Sequence, residues 1–294
     1  MFKKIFLSIG LLFLSLAIII FVGFDSSIIT TESINIKNIK DERAEITIPV
    51  IMYHSINSNP AKSNKYVITP QELERDIVYL KEHGYTTVFI EDIINYVRNG
   101  EKLPQKPIAL TFDDGFYNNY LNAYPLIKKY NEKAIISVIG AETEKFSKTV
   151  DTNENYASLS WENIKDMNES GYIEFLNHSY NMHSLNNGRK GTKKNKNEIT
   201  EEYQKIFTSD AEKTQRLFEE NIGIRPICYT YPFGAISEES YKCIIDIGFL
   251  ASLDACDGKF TAKKFDEGCL YRIPRYIRTD KITLENIIEG HFTN

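Results

Sequence analysis

A chain of 294 residues exceeds the usual single-domain size but fits one large α/β domain with an appendage. Its 42% hydrophobic content, with only 15 glycines and 9 prolines, supplies a core and excludes a disordered or collagen-like chain. A net charge of -5, from 35 basic and 40 acidic side chains, offers no overall positive field for a polyphosphate backbone, so no nucleic acid is expected as a partner.

Lys3 and Lys4 precede a mostly apolar run at 5–24, long enough to cross a ~30 Å hydrocarbon layer as a helix. The two lysines favour a cytoplasmic N-terminus and place the rest of the chain outside the cell membrane. Residues 1–24 therefore read as a single-pass anchor. The run ends in Phe21-Val22-Gly23-Phe24, with no small-x-small cleavage pattern; if it were cleaved, the protein would be secreted. Residues 25–46, rich in Ser, Thr, Asn, Lys and Asp, read as a linker, and 47–290 as the folded domain.

From there strands and helices alternate. Short apolar runs predict strands at 48–52, 85–89, 107–112, 134–139, 172–176, 227–230, 249–253 and 270–277. Between them, helical spacing predicts helices at 71–83, where Leu73, Ile77 and Leu80 share a face, and at 91–98, 117–130, 161–169, 198–220, 238–247 and from Leu284 onward. Such alternation implies a parallel sheet, open or closed into a barrel. Cys228, Cys243, Cys256 and Cys269 match no zinc-ribbon spacing and read as core residues, their pairing left open.

Four polar clusters each follow a predicted strand: Tyr53-His54, Asp113-Asp114-Gly115, Asn177-His178-Ser179 and Tyr231-Pro232-Phe233-Gly234. Parallel strands bring those ends to one face, where α/β barrels carry their active sites. Adjacent Asp113 and Asp114 would point to opposite sides of a regular strand, but Gly115 lets the chain turn so that both could reach one pocket. A solvated turn is the rival reading of an isolated Asp-Asp-Gly. His178 and His183, five apart, lie about 140° apart on a helix and on opposite faces of a strand, so a loop must join them if both bind one ion. Two imidazoles and one carboxylate suit zinc and other divalent metals.

With these motifs the sequence resembles the polysaccharide deacetylase (NodB-homology, carbohydrate esterase 4) family over roughly 48–288. The resemblance is carried by Pro49-Val50-Ile51-Met52-Tyr53-His54, Leu110-Thr111-Phe112-Asp113-Asp114-Gly115, Asn177-His178-Ser179-Tyr180-Asn181-Met182-His183, Tyr229-Thr230-Tyr231-Pro232-Phe233-Gly234 and Arg272-Ile273-Pro274-Arg275. It implies a distorted (β/α) barrel that removes acetyl groups from an N-acetylated polysaccharide with a divalent metal, Zn2+ being the first expectation. Asp114, His178 and His183 match the metal ligands, Asp113 the general base, and the amide of Phe233 a donor to the oxyanion.

His291 fits the family's C-terminal histidine motif poorly. His54 takes the general-acid role instead, as in the subgroup resembling poly-β-1,6-N-acetylglucosamine deacetylases, whose histidine spacing is also the one found here. Thr230 stands where many relatives have an arginine that orients the base, and Arg272 or Arg275 are the candidates to replace it, with Asp254 or Asp257 as partner. Tyr231 and Phe233 are candidate sugar-binding aromatics, with Tyr53, Tyr180 and Trp161 behind them. Residues 188–197 read as a mobile basic loop. An O-acetyl esterase and a non-catalytic carbohydrate-binding barrel are the rival functions.

Overall fold

The computed structural model describes residues 43–185 and 188–293. The expected anchor at 1–24 and most of the linker lie outside these residues. Among the described residues no helix is long and apolar enough to cross a membrane.

The expected first strand is two: β1 (Glu45–Ile48) and β2 (Val50–Tyr53). Next come β3 (Ser55–Ile56) and β4 (Val67–Ile68), a short parallel pair of their own. The helix α1 (Pro70–Glu82) starts at a reciprocal cap, Thr69 accepting from Glu72 N–H and Glu72 accepting from Thr69 N–H, with Pro70 in the first turn. After β5 (Thr86–Thr87), α2 (Ile90–Asn99) buries Ile90, Ile93, Ile94 and Val97 on one face and stops at left-handed Gly100. Then follow β6 (Pro107–Phe112), α3 (Tyr124–Tyr130), β7 (Ala134–Val138), α4 (Gly140–Lys148), α5 (Trp161–Glu169) and β8 (Ile173–Asn177). The chain finishes with α6 (Thr200–Ile222), β9 (Cys228–Thr230), α7 (Glu238–Ile247), β10 (Ala251–Leu253), β11 (Phe260–Lys263), β12 (Tyr276–Ile277) and α8 (Leu284–His291).

The main sheet runs β10-β9-β8-β7-β6-β2-β12, with β5 also on β6, and its pairings are parallel. Residues of β2, β6 and β7 are buried throughout, as a parallel sheet covered on both faces requires. The sheet curls, and Ile273 bridges its outer strands: its N–H donates to Ser252 O at 2.8 Å and its carbonyl accepts from Asp254 N–H at 2.9 Å, while β12 pairs with β2. The α/β class and the parallel sheet agree with the sequence pattern.

Several boundaries do not. The expected strand at 270–277 shrinks to two residues because a 3-10 turn at Glu267–Leu270 and a left-handed Arg272 interrupt it. The expected helix at 117–130 is helical throughout, though residues Asn119–Ala123 form a π-helical turn within it. The short β3 and β4, the helix α4 and the strand β11 have no counterpart in the sequence reading. The polar α4 buries only Gly140, Thr143 and Phe146, and β11 pairs antiparallel with β1, which draws Glu45 and Ile46 of the expected linker into the fold.

Strand register sets the rim. Tyr53 lies opposite Phe112, Phe112 opposite Ile136, Val138 opposite Asn177, and Asn177 opposite Tyr229. The residues that follow these positions emerge at one end of the sheet.

Candidate metal centre and active site

Asp113 continues β6, its N–H donating to Tyr53 O at 3.0 Å, and the residue is 4% exposed. The turn begins one residue earlier than Gly115 suggests, because Asp114 itself adopts φ 71°. A left-handed non-glycine costs on the order of 1–2 kcal/mol, which aspartate tolerates better than most residues. That conformation lets neighbouring carboxylates serve one site.

His178 follows β8, its N–H donating to Val138 O at 3.0 Å. Its Nδ1 meets the Thr230 carbonyl at 2.8 Å, so Nδ1 carries the proton and Nε2 faces the site as a bare acceptor. The chain then reverses at left-handed Ser179 and returns with His183. Asp114 Oδ1 lies 3.5 Å from His178 Nε2 and 3.2 Å from His183 Nε2, and the three ligand atoms lie within 4.8 Å of one another. Two ligands on a tetrahedral zinc sit about 3.4 Å apart, so the spacing fits an ion. Asp114 Oδ1 is also buried without a well-aligned hydrogen-bond donor, as an atom reserved for a cation would be.

Arg275 settles which arginine reaches Asp113. Wholly buried, it grips the carboxylate with two parallel bonds, Nη1 to Oδ1 at 2.7 Å and Nη2 to Oδ2 at 2.8 Å. Its Nε donates to Asp254 O at 2.7 Å and its Nη1 to Thr111 Oγ1 at 3.1 Å, so the fork is held at both ends. The place left by Thr230 is thus filled from another segment; Thr230 Oγ1 pairs with Ser137 Oγ at 2.7 Å instead. Arg272 does not share this role: its guanidinium lies 3.4 Å from Glu238 and 3.8 Å from Asp254, on the surface.

Burial would raise the Asp113 carboxyl, but the charge and hydrogen bonds of Arg275, helped by His178 and His54, hold it well below the usual carboxylate range. Asp114 shows the same balance, burial opposed by His178, His54 and His183, with a lowered outcome. Burial and the neighbouring His178 push His183 down to about 4. His54 follows β2 with its Nδ1 buried and unpartnered, and its ring lies edge-on to Tyr66 at 4.9 Å. Burial lowers its pKa against the opposing fields of Asp113 and Asp114.

The aromatic candidates separate. Phe233, at φ 58° in the turn after β9, is 40% exposed, and its ring lies against that of His183, centroids 4.2 Å apart and tilted by 43°. Tyr231 is corrected: its ring is buried among Phe207 and Tyr229, and its hydroxyl meets Ser240 Oγ at 2.9 Å, so it offers no face to a ligand. Trp161 and Tyr53 likewise pack in the core, against Phe218 and Phe112. The basic loop at 188–197 is pinned rather than free. Arg189 pairs with Glu198, Lys194 with Glu239 at 3.2 Å, and buried Thr192 donates to Ala235 O at 3.0 Å, beside the Phe233 turn. His291 stacks on Tyr276 and shares a cleft with Pro49 and Pro107, at the starts of β2 and β6, away from the rim. The four cysteines are free thiols.

Comparison with known proteins agrees with this geometry. A family model described as polysaccharide deacetylase matches residues 100–251. The chain is similar to the poly-beta-1,6-N-acetyl-D-glucosamine N-deacetylase of Staphylococcus epidermidis, 26% identical over 229 residues, covering 78% of this chain and 74% of that protein. Among solved structures, a de-N-acetylase from Aggregatibacter actinomycetemcomitans superposes with TM-score 0.71 at 22% identity, covering 83% of this chain and 99% of the other. The deacetylase PplD of Streptococcus pyogenes gives TM-score 0.68 at 21% identity, covering 83% and 97%. At such identities the two structures establish the fold.

Proposed function

The chain belongs to the polysaccharide deacetylase family, and on that premise we propose that it is a metal-dependent hydrolase that removes N-acetyl groups from an N-acetylglucosamine-containing polysaccharide outside the cell membrane. The similarity to the staphylococcal enzyme favours a β-1,6-linked exopolysaccharide over peptidoglycan. The observation that carries the reading is the meeting of Asp114, His178 and His183 beside an aspartate clasped by a buried arginine.

Asp114, His178 and His183 would hold the ion. A divalent cation there supplies acidification of water and polarisation of the amide carbonyl, which a carboxylate as weakly basic as Asp113 requires of its proton donor. Asp113 takes the proton from the water that attacks the acetamide, and Arg275 keeps the carboxylate ionised and aimed while leaving lone pairs on both oxygens free. The proton that Asp113 has taken must reach the nitrogen for the carbon–nitrogen bond to break, and His54, neutral until then and within the fields of Asp113 and Asp114, is the group that receives it and passes it on. The backbone amide of Phe233 faces the developing oxyanion, and its exposed ring bears on a sugar face. Residues 1–24 would anchor the domain, with Lys3 and Lys4 on the cytoplasmic side.

The full chain, incubated with β-1,6-linked N-acetylglucosamine oligomers, should release acetate, lose activity to a chelator and regain it with Zn2+. Acetate from O-acetylated but not N-acetylated oligomers would replace this reading with an esterase. Binding without any acetate would leave a carbohydrate-binding barrel.

A further inference from the structure

Five residues separate His178 from His183, and no regular element closes that gap. His178 is fixed by the sheet through its N–H to Val138 O and its Nδ1 to Thr230 O. His183 has no such strand beneath it, so its place depends on how the intervening loop is held.

Two helices, α4 and α6, grip that loop. The first amides of α4 are donors: Gly140 N–H to Ser179 O at 3.0 Å and Ala141 N–H to Tyr180 O at 2.9 Å. The contact is close enough that a Cβ on Gly140 would sit 2.6 Å from Thr214 Oγ1 and 3.1 Å from the Tyr180 ring. The helix α6 offers one carboxylate: Asp210 accepts from Tyr180 N–H at 2.7 Å through Oδ1 and from Asn181 N–H at 2.8 Å through Oδ2. Both are short, charge-assisted bonds to successive amides, a forked hold on the peptide that turns the chain back toward His183. Tyr180 is braced further, its hydroxyl donating to Glu144 Oε2 at 2.7 Å and Lys213 Nζ lying 3.5 Å from its ring centroid. Asn177 completes the base of the loop, accepting from Ser179 N–H at 2.9 Å and donating to Ala211 O, also on α6, at 2.9 Å.

The two grips differ in kind. The α4 side uses backbone amides, which nearly any sequence supplies, whereas on the α6 side both loop amides depend on the one side chain of Asp210. We infer that Asp210 is a positioning residue, bracketing the 179–181 turn so that His183 meets His178 and Asp114 at the separation a metal ion needs. The inference rests on the metal-centre reading above. Residues that orient metal ligands from behind typically contribute 10- to 100-fold in affinity.

The test uses the full chain with Asp210→Ala, which leaves both amides without their acceptor, and Asp210→Asn, which keeps shape and one acceptor oxygen. Zn2+ affinity is measured by calorimetry, the melting temperature of the metal-free protein by circular dichroism, and kcat and KM with β-1,6-linked N-acetylglucosamine oligomers. Zn2+ binding should weaken by about tenfold or more in Asp210→Ala and by less in Asp210→Asn. Activity lost at limiting Zn2+ should return at saturating Zn2+ with KM unchanged. A folded variant that binds Zn2+ as the unmodified chain does, whatever its melting temperature, would overturn the bracket; Asp210→Asn decides the matter if the alanine variant does not fold. An unmodified chain that neither binds Zn2+ nor releases acetate would instead remove the metal-centre reading, and the bracket with it.

Discussion

Arg275 and Arg278, three residues apart, each clasp a buried aspartate, yet the two aspartates depart from their ordinary acidity in opposite directions. Asp113, gripped by Arg275, is held far down; Asp76, which accepts from Arg278 Nε at 2.8 Å and Nη2 at 3.3 Å and from the Tyr53 hydroxyl at 3.2 Å, is raised, because burial outweighs those bonds. The forks differ, Arg275 binding end-on through both Nη atoms and Arg278 side-on through Nε and a longer Nη2 bond, and so do the surroundings. Asp113 also lies in the fields of His178 and His54, whereas Asp76, a buried residue of α1 itself, has Arg278 as its one cation. Glu174 of β8 extends the series: it accepts from Ile90 and Glu91 N–H at the start of α2 with no cation among its causes, and burial pushes it up to about 8. At the rim a buried carboxylate is kept ionised chiefly by the fork of Arg275, while the buried carboxyls elsewhere serve to tie elements together.

The largest expected effect separates chemistry from metal holding. Asp113→Asn should lower acetate release by about 100- to 10,000-fold with Zn2+ binding retained, whereas His178→Ala should lose both. Equal Zn2+ loss in the two variants would erase the distinction between Asp113 and the ligand set. The paired arginines come next. Breaking a buried ion pair from one side costs roughly 3–5 kcal/mol, so Arg275→Met and Arg278→Met should show similar losses in denaturant unfolding. Only Arg275→Met should also depress kcat in the folded fraction; a matching kcat loss in Arg278→Met would make the two pairs functionally equivalent.

Glu174 supplies a pH test. An unfolded glutamate ionises near its ordinary value of about 4.3, and the folded one near 8, so between those values the folded state holds a proton that the unfolded state has released. Stability from this group is therefore greatest below the unfolded value and falls as pH rises through about 8. The melting temperature of the unmodified chain should fall relative to Glu174→Gln between pH 5 and pH 8; parallel profiles would contradict it. The smallest effect belongs to Phe233→Ala. An aromatic contact is worth about 0.5–1.5 kcal/mol, so kcat/KM should fall roughly two- to tenfold with Zn2+ affinity unchanged.

Much of the site was legible because it is written at strand ends. Asp113, Asp114, His178 and His54 each follow an apolar run, and parallel pairing alone brings such positions to one rim. What failed was reading direction from residue type. Tyr231 and Phe233 are two apart in one motif, yet one ring is core and the other exposed, because Phe233 takes a left-handed conformation that no aromatic advertises. Arg272 and Arg275 were equal on paper; the left-handed turn at Arg272 sends one to the surface and the other beneath Asp113. Asp210 carried no signal at all, being one acid among many on a long amphipathic helix.

The sequence by itself determined the alternation of strand and helix, the parallel sheet and the residue types gathered at its rim, since these follow from local periodicity and from where polar residues interrupt apolar runs. Only the tertiary structure decided which arginine completes the base, which aromatic faces outward and what holds the histidine loop. Those contacts join segments 30 to more than 160 residues apart, Tyr180 to Asp210 and Asp113 to Arg275, and their geometry depends on single backbone dihedrals that composition and spacing do not encode.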